Sequence, residues 1–351
     1  MPDVVVVGGG PVGLAAALYA VRAGLSVTVL EPRAGVVDKA CGEGLMPGAV
    51  VALGALGVDA PGRELQGIRY VGGGRQATAD FAAGRGRGVR RTTLHRALRE
   101  AAEAAGVEVV GRSATALVQE GGAVHVSTRE PGGTQGAGLT GRYVLAADGL
   151  HSPMRRALGV EVAAGGPQRW GQRRHYGMRP WSDHVEVHWA PHGEAYVTPV
   201  ADDLVGVAVL SATRAPFEEQ LDGFAGLRER LSAAQATTTV RGAGPLRQRA
   251  SRRACGRVLL VGDASGYVDA LTGEGISLGL AQARAAVEAV RREQPESYER
   301  EWRRVTWRYA VLTGSIVQLT RAGWARRAIV PSAATVPGLF RAAVAELGRV
   351  R

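Results

Sequence analysis

The sequence predicts a mixed α/β chain: a core of parallel strands and helices, an antiparallel sheet inserted into it, and a helical C-terminus. Three observations carry this. A valine run at residues 4–7 leads into a glycine cluster and then an apolar helical stretch. Two later apolar runs, ending near residues 147 and 261, each give way to an aspartate beside a glycine. Between those runs, residues 184–210 form short apolar stretches, partly alternating with polar residues and split by turn residues, the pattern of an antiparallel meander.

The first unit is the most specific. Asp3 to Val7 is a β-branched run suited to a buried parallel strand. Gly8-Gly9-Gly10-Pro11-Val12-Gly13 follows and fits G-x-G-x-x-G. Gly8 permits the tight turn, Gly10 lets a pyrophosphate approach the backbone, and Gly13 lets the next helix pack against the sheet. Leu14 to Ala23 reads as that helix, Gly24 ends it, and Ser26 to Leu30 is the second strand. Glu31 stands at the strand's end, where a carboxylate can accept hydrogen bonds from both ribose hydroxyls. A glycine-rich turn alone would not account for Glu31, so the unit reads as a Rossmann-type dinucleotide site. FAD and NAD both present adenosine diphosphate to such a loop, and the motif does not separate them.

The second unit is a strand over Tyr143 to Ala146, then Asp148-Gly149, with Ser152 and Arg155 at helix-start spacing. The third is a strand over Val258 to Val261, then Gly262-Asp263. Thr272-Gly273-Glu274-Gly275-Ile276 follows and opens a helix running from about Ser277 to Arg292.

With these motifs in this order, residues 3–295 resemble the FAD-dependent aromatic hydroxylases of the para-hydroxybenzoate hydroxylase fold and their relatives, the geranylgeranyl reductases. The resemblance implies FAD as cofactor and NAD(P)H as a transient reductant. It places Gly8, Gly10, Pro11, Val12, Gly13, Glu31 and Arg33 on the adenosine diphosphate, and Asp148, Gly149, Gly262 and Asp263 on the middle of the cofactor. Arg91, before a helix, resembles the family arginine that contacts it, and Ala114 would offer backbone to the adenine. Gly273, Gly275 and Ile276 would aim a helix N-terminus, positive and rich in free N–H groups, at the flavin ring edge. Lys39-Ala40-Cys41-Gly42-Glu43-Gly44-Leu45 is similar to the segment flanking the flavin in geranylgeranyl reductases, which usually have glycine where this chain has Glu43. Cys41 reads either as an active-site thiol or as a small residue packed beside the flavin. Lys39, the chain's only lysine, reads as meeting a phosphate or as solvated.

Three regions follow: a discontinuous FAD-binding domain (1–66, 82–160 and 246–295), a substrate sheet (67–81 and 161–245), and a helical C-terminal region (296–351). The resemblance implies a monooxygenase that hydroxylates an electron-rich, lipophilic aromatic, a phenolic lipid or polyketide, through a flavin C4a-hydroperoxide. The alternatives are a geranylgeranyl-type alkene reductase and a non-redox flavoprotein. Hydroxylating a phenol needs a hydrogen-bond acceptor near its hydroxyl. His175, His188 and Tyr196 on the sheet are candidates beside Cys41 and Glu43, against the plain alternative of half-exposed strand residues. The tryptophans never form W-x-W and no lysine follows residue 39, which argues against a flavin halogenase.

The charge balance is 43 basic against 32 acidic residues, a net charge of +11 that permits anionic partners. The arginines are scattered, with no basic run of the kind that binds nucleic acid, so no nucleic-acid partner is expected. Two cysteines give neither metal spacing nor a disulfide framework. Glycines and Pro11 break the apolar stretch 4–21, so neither a signal peptide nor a membrane span is expected there, and a cytoplasmic location is. Residues 328–347 are apolar but interrupted by Pro331, Pro337 and Arg341. They read as a packing region, with a lid over a greasy substrate or a peripheral membrane surface as the alternative.

Overall fold

The computed structural model describes residues 1–166 and 168–349. Pro167, inside the expected sheet insert, and Val350 and Arg351, at the end of the expected helical region, lie outside the described residues. A six-stranded sheet forms the core, in the order Ala254–Cys255, Val258–Leu260, Tyr143–Ala146, Val4–Val7, Val27–Leu30 and Glu108–Val110. All pairs are parallel except the first. Every residue of the three central strands is buried, because helices and a second layer cover both faces; this is why these strands are unbroken apolar runs. The strand order brings Gly8, Glu31, Ala147 and Val261 to one edge, at the carboxyl ends of adjacent strands. All three sequence motifs therefore converge at the place where open α/β sheets bind their ligands.

Helix Pro11–Arg22 packs between Arg91–Ala104 and Gly275–Arg291. The last contact is close: a Cβ on Gly279 would lie 2.4 Å from the side chain of Val12. A meander of Ser113–Glu120, Ala123–Arg129 and Gln135–Gly141 covers the other face of the core sheet.

The second sheet runs Gln235–Ala236, Trp170–Gly177, Leu204–Ser211, Gly193–Ala201, His184–Ala190, Gly67–Gly72 and Arg75–Asp80, with Arg241–Ala243 also on Trp170–Gly177. It is antiparallel except where His184–Ala190 runs parallel to Gly67–Gly72. That pair joins two segments more than a hundred residues apart, which is how the 67–81 stretch enters the sheet. Alternation sorts its two faces. Val185, Val187, Tyr196, Ala208 and Leu210 point toward the core domain. Ala195, Val197, Val205, Val207 and Val209 point outward and are covered by the helices Phe217–Asp222 and Ala225–Leu231.

Helices Ser297–Leu319, Gly323–Thr335 and Pro337–Leu347 close the chain. Val330, Phe340, Val344 and Leu347 are buried against the strands 67–80, and the rings of Tyr70 and Phe340 lie 4.6 Å apart. Among the described residues no single helix is long and apolar enough to cross a membrane.

Candidate active site

A cavity of about 840 Å³ lies between the carboxyl edge of the core sheet and the inner face of the second sheet. Its polar wall is built from the three motifs, and the three glycines of the first loop do different work there. Gly8 adopts φ +104°, and a Cβ on it would sit 2.6 Å from Ala147 O. A Cβ on Gly13 would sit 1.8 Å from Gly8 O. A Cβ on Gly10 would meet nothing within 4 Å, because Gly10 faces the cavity. The outer glycines let the protein pack on itself, and the middle one leaves room for a ligand. Pro11 and Val12 continue the wall into the helix N-terminus.

Glu31 braces this loop from beneath. Its Oε2 accepts from Gly9 N–H at 2.9 Å and its Oε1 from Arg33 Nε at 2.7 Å. Burial pushes this carboxyl up, but the hydrogen bonds from Arg33 and Gly9 outweigh that and hold it below the ordinary carboxylate range. His95 braces the same loop from helix Arg91–Ala104. Val37 N–H donates to its Nδ1 at 3.4 Å, so the proton sits on Nε2, 2.9 Å from Gly9 O. Burial keeps this imidazole neutral by lowering its pKa. Sequence reading passed over His95, although it stands four residues after Arg91 on the same helical face.

Three cations gather where a diphosphate would lie. Lys39 and Arg91 line the cavity with Arg33 near them. Burial lowers the Lys39 pKa, and repulsion from Arg33 and Arg91 lowers it further. Arg91 Nε is buried without a partner. Opposite, burial raises the Asp263 carboxyl against the pull of Lys39 and Arg91. Asp148 is on the wall, but its oxygens accept from Ser152 Oγ at 2.6 Å and Met154 N–H at 2.9 Å, capping the helix Pro153–Ala157. Gly149 offers backbone instead, with φ +86° beside Lys39 Nζ. Gly262, Gly273, Gly275 and Ile276 complete this wall, and helix Gly275–Arg291 begins there with Ser277 Oγ buried and unpartnered. An open glycine, an orphaned guanidinium nitrogen, crowded cations and two helix N-termini fit an anionic dinucleotide bearing a ring system.

The five catalytic candidates separate. Cys41 and Gly42 are on the wall. Burial pushes the Cys41 thiol up and outweighs the opposing hydrogen bond that its Sγ accepts from Glu43 N–H at 3.3 Å, so it is a neutral thiol rather than a thiolate. Tyr196 is on the wall, but its hydroxyl donates to Leu271 O at 2.8 Å, and burial with nearby Glu194 raises its pKa far above the ordinary value. It is a fixed donor, not a base. Glu43 is on the wall and His175 directly behind it, Nε2 to Oε2 at 2.6 Å. His188 is not brought to the cavity. Val185 and Val187 take the inner face of that strand, so alternation turns His188 outward onto Glu186 Oε2 at 3.1 Å. Ala114, Glu31 and Arg33 lie beyond the cavity wall, Ala114 opposite Thr128 in the meander. Sequence reading also missed Arg173 and Thr238, which hold His175. Arg173 and His175 alternate on one strand, and that spacing was the available signal.

This arrangement defines a flavin-dependent oxidoreductase. The chain belongs to the FAD binding domain family, whose sequence profile matches residues 1–308. It is 31% identical over 328 residues to a menaquinone reductase of Mycobacterium tuberculosis, covering 82% of this chain and 76% of that one. It is 28% identical over 330 residues to digeranylgeranylglycerophospholipid reductase 1 of Methanopyrus kandleri, covering 86% and 85%. Solved structures share the fold. A myxobacterial chondrochloren halogenase superposes with TM-score 0.82 at 20% identity, over 99% of this chain and 91% of that one. A geranylgeranyl bacteriochlorophyll reductase-like protein of Thermoplasma acidophilum superposes with TM-score 0.72 at 23% identity, over 99% and 91%.

Proposed function

We propose that this flavoprotein is a reductase that saturates a carbon–carbon double bond in an isoprenoid chain. The supporting observation is the second wall of the cavity. Facing the polar cofactor wall is an apolar surface of Ile68, Val185, Val187, Leu210 and Leu246, suited to a hydrocarbon and poor in partners for a polar substrate. Curated relatives point the same way, since menaquinone and digeranylgeranylglycerophospholipid both carry unsaturated isoprenoid chains. Bound FAD supplies a hydride to such a bond once reduced, with NAD(P)H as the proposed source of electrons. The chain's own residues do the rest. Gly10, Lys39 and Arg91 would hold the diphosphate, the helix N-terminus at Gly275 would stabilise negative charge on a bound ring system, and the apolar wall would exclude water and align the chain.

Hydroxylation of a lipophilic phenol is the second reading. One observation favours it: Glu43 places a carboxylate on the wall, an acceptor for a phenolic proton. The test is anaerobic mixing of the pre-reduced holoenzyme with a polyprenyl quinone and with a geranylgeranyl lipid. Flavin reoxidation with a product two mass units heavier, the gain persisting in the isoprenoid chain after air returns any quinol to quinone, is the expected result. No anaerobic turnover, together with an oxygen-dependent hydroxylated product from a long-chain phenol, would replace this reading with the second one.

A further inference from the structure

We propose that Glu43, His175 and Thr238 form a proton relay joining the cavity to solvent. Glu43 is 3% exposed, yet it lines the cavity and adopts φ +61°, a left-handed conformation that disfavours any residue with a side chain. Such an outlier persists only where its surroundings impose it. Here they do. Glu43 Oε1 accepts from Arg91 N–H at 2.8 Å, and Oε2 stands 2.6 Å from His175 Nε2. The neighbouring strand gives way for the pair: a Cβ on Gly206 would lie 2.9 Å from Glu43 Oε2 and 3.6 Å from the His175 ring.

The second nitrogen of His175 sets the direction of proton flow. Arg173 Nη1 lies 3.1 Å from Nδ1, and a guanidinium can only donate, so Nδ1 is bare and Nε2 carries the proton toward Glu43. Arg173 is itself pinned by Asp38 and by Lys39 O at 3.2 Å, and Asp38 is held in turn by Arg241. Arg173, Cys41 and Arg91 are the charged or titratable residues that meet the pair, Arg173 Nε lying 3.8 Å from Glu43 Oε1, with Asp38, Lys39 and Arg241 one step behind Arg173. Thr238 Oγ1 also lies 3.1 Å from Nδ1 and is half-buried, so the chain of groups ends at the surface.

The relay rests on the reductase reading in its direction: saturation places a hydride on one carbon and a proton on the other. The alkene is reduced and reduced FAD oxidised. The proton leaves the Glu43 carboxyl for the substrate carbon, His175 Nε2–H reprotonates Glu43, and Nδ1 takes a proton from Thr238 Oγ1–H, which solvent replaces; a tautomer exchange of the imidazole, Nδ1–H back to Nε2–H, then resets the relay. Arg173 is a positioning residue, holding the imidazole in the tautomer that starts the cycle.

The tautomer is read directly. Nitrogen-15 spectra of histidine-labelled resting holoenzyme, assigned with His175→Gln, are expected to show Nε2 protonated and Nδ1 bare. Nδ1-protonated neutral imidazole at His175 would overturn the relay. Single-turnover saturation is expected to slow about 100-fold in His175→Gln, the low end of lost general acid–base catalysis, and less, about 10-fold, in Thr238→Val, which leaves the proton donor in place. The solvent-deuterium effect should grow in Thr238→Val, which also removes the acceptor of His175 N–H at 3.1 Å, so the comparison is made on variant protein whose circular dichroism and FAD content match wild type. Wild-type rates and isotope effect in Thr238→Val would sink the relay while leaving the reductase reading standing. A correct tautomer in an enzyme that saturates no isoprenoid would sink that reading while leaving the inward proton path in place for another substrate that is protonated at the cavity.

Discussion

Two buried charge clusters sit on the same sheet and behave differently. One is the Glu43, His175, Arg173 and Asp38 group. The other centres on Glu194, fully buried, which pairs with Arg169 and lies 2.6 Å from Arg326; Asp269 lies 3.4 Å from Arg169. In the second, each oxygen of Glu194 meets a guanidinium from a different element. Burial pushes its carboxyl up against the pull of both arginines. The result ties strand Gly193–Ala201 to helix Gly323–Thr335 and offers no proton path. In the first, the carboxylate and the guanidinium lie 3.8 Å apart and an imidazole bonds both; one end opens on the cavity, and the other reaches a half-exposed hydroxyl. The ingredients are nearly the same. What separates a staple from a working site is a titratable intermediate and an exit at each end.

The sharpest way to break that contrast is Glu194→Ala. It leaves Arg169 and Arg326 buried without their carboxylate and should cost about 3–5 kcal/mol of unfolding free energy. Urea denaturation checks this, and a loss below about 1 kcal/mol would show that the cluster is not a staple.

The cation crowd at the diphosphate wall gives the next largest effect. Lys39→Met should weaken FAD binding about tenfold, the worth of one charge-assisted hydrogen bond, as read by fluorescence titration. Because the folded Lys39 pKa lies below its ordinary value, its charge penalises the cofactor-free fold at neutral pH. That penalty fades as pH rises from the folded value toward 10.5. The variant's cofactor-free form should therefore be slightly more stable than wild type near pH 7, by differential scanning calorimetry, with the gap closing in alkali.

His95 tests the acid side. Its folded pKa is lowered by burial, so its contribution is complete above the ordinary value of 6.5 and is lost as pH falls through the folded value. Acidification below 6.5 should release FAD as the ring charges in its buried site and Nδ1, now a donor, loses the hydrogen bond from Val37 N–H, and His95→Asn should flatten that limb. An unchanged limb would assign acid release to other groups.

The smallest effect sharpens the opening comparison. Glu43→Gly removes a buried carboxylate but also the left-handed strain, so stability should stay within about 1 kcal/mol of wild type, a fraction of the Glu194→Ala loss. Equal losses in the two variants would erase the distinction.

The core was legible because its rules are local. Val4 to Glu31 carries strand, turn, helix and acid within one short segment, and each has a physical reason to be where it is. The meander over 184–210 was legible from turns and alternation. The strand Trp170–Gly177 was not, because Arg173, Arg174 and His175 interrupt any apolar pattern; its polar face is the site. The Glu43–His175 pair crosses 132 residues of chain, and no spacing in the sequence announces it. His188 misled for the opposite reason. Val185 and Val187 claim the inner face of its strand, which leaves His188 on the outer one.

Arg155 carries a consequence for how the protein acquires its cofactor. Fully buried, it donates to Leu150 O at 3.0 Å, Ala264 O at 3.2 Å, Gln248 Oε1 at 2.9 Å and Glu161 Oε1 at 2.9 Å. One side chain thus rivets the loop after the second core strand motif to the loop after the third, independently of anything in the cavity. The two jaws that would grip the flavin are set at a fixed gauge before it arrives. Loading is then expected as a single docking phase whose rate scales with FAD concentration, which stopped-flow fluorescence checks and a slow second phase would contradict.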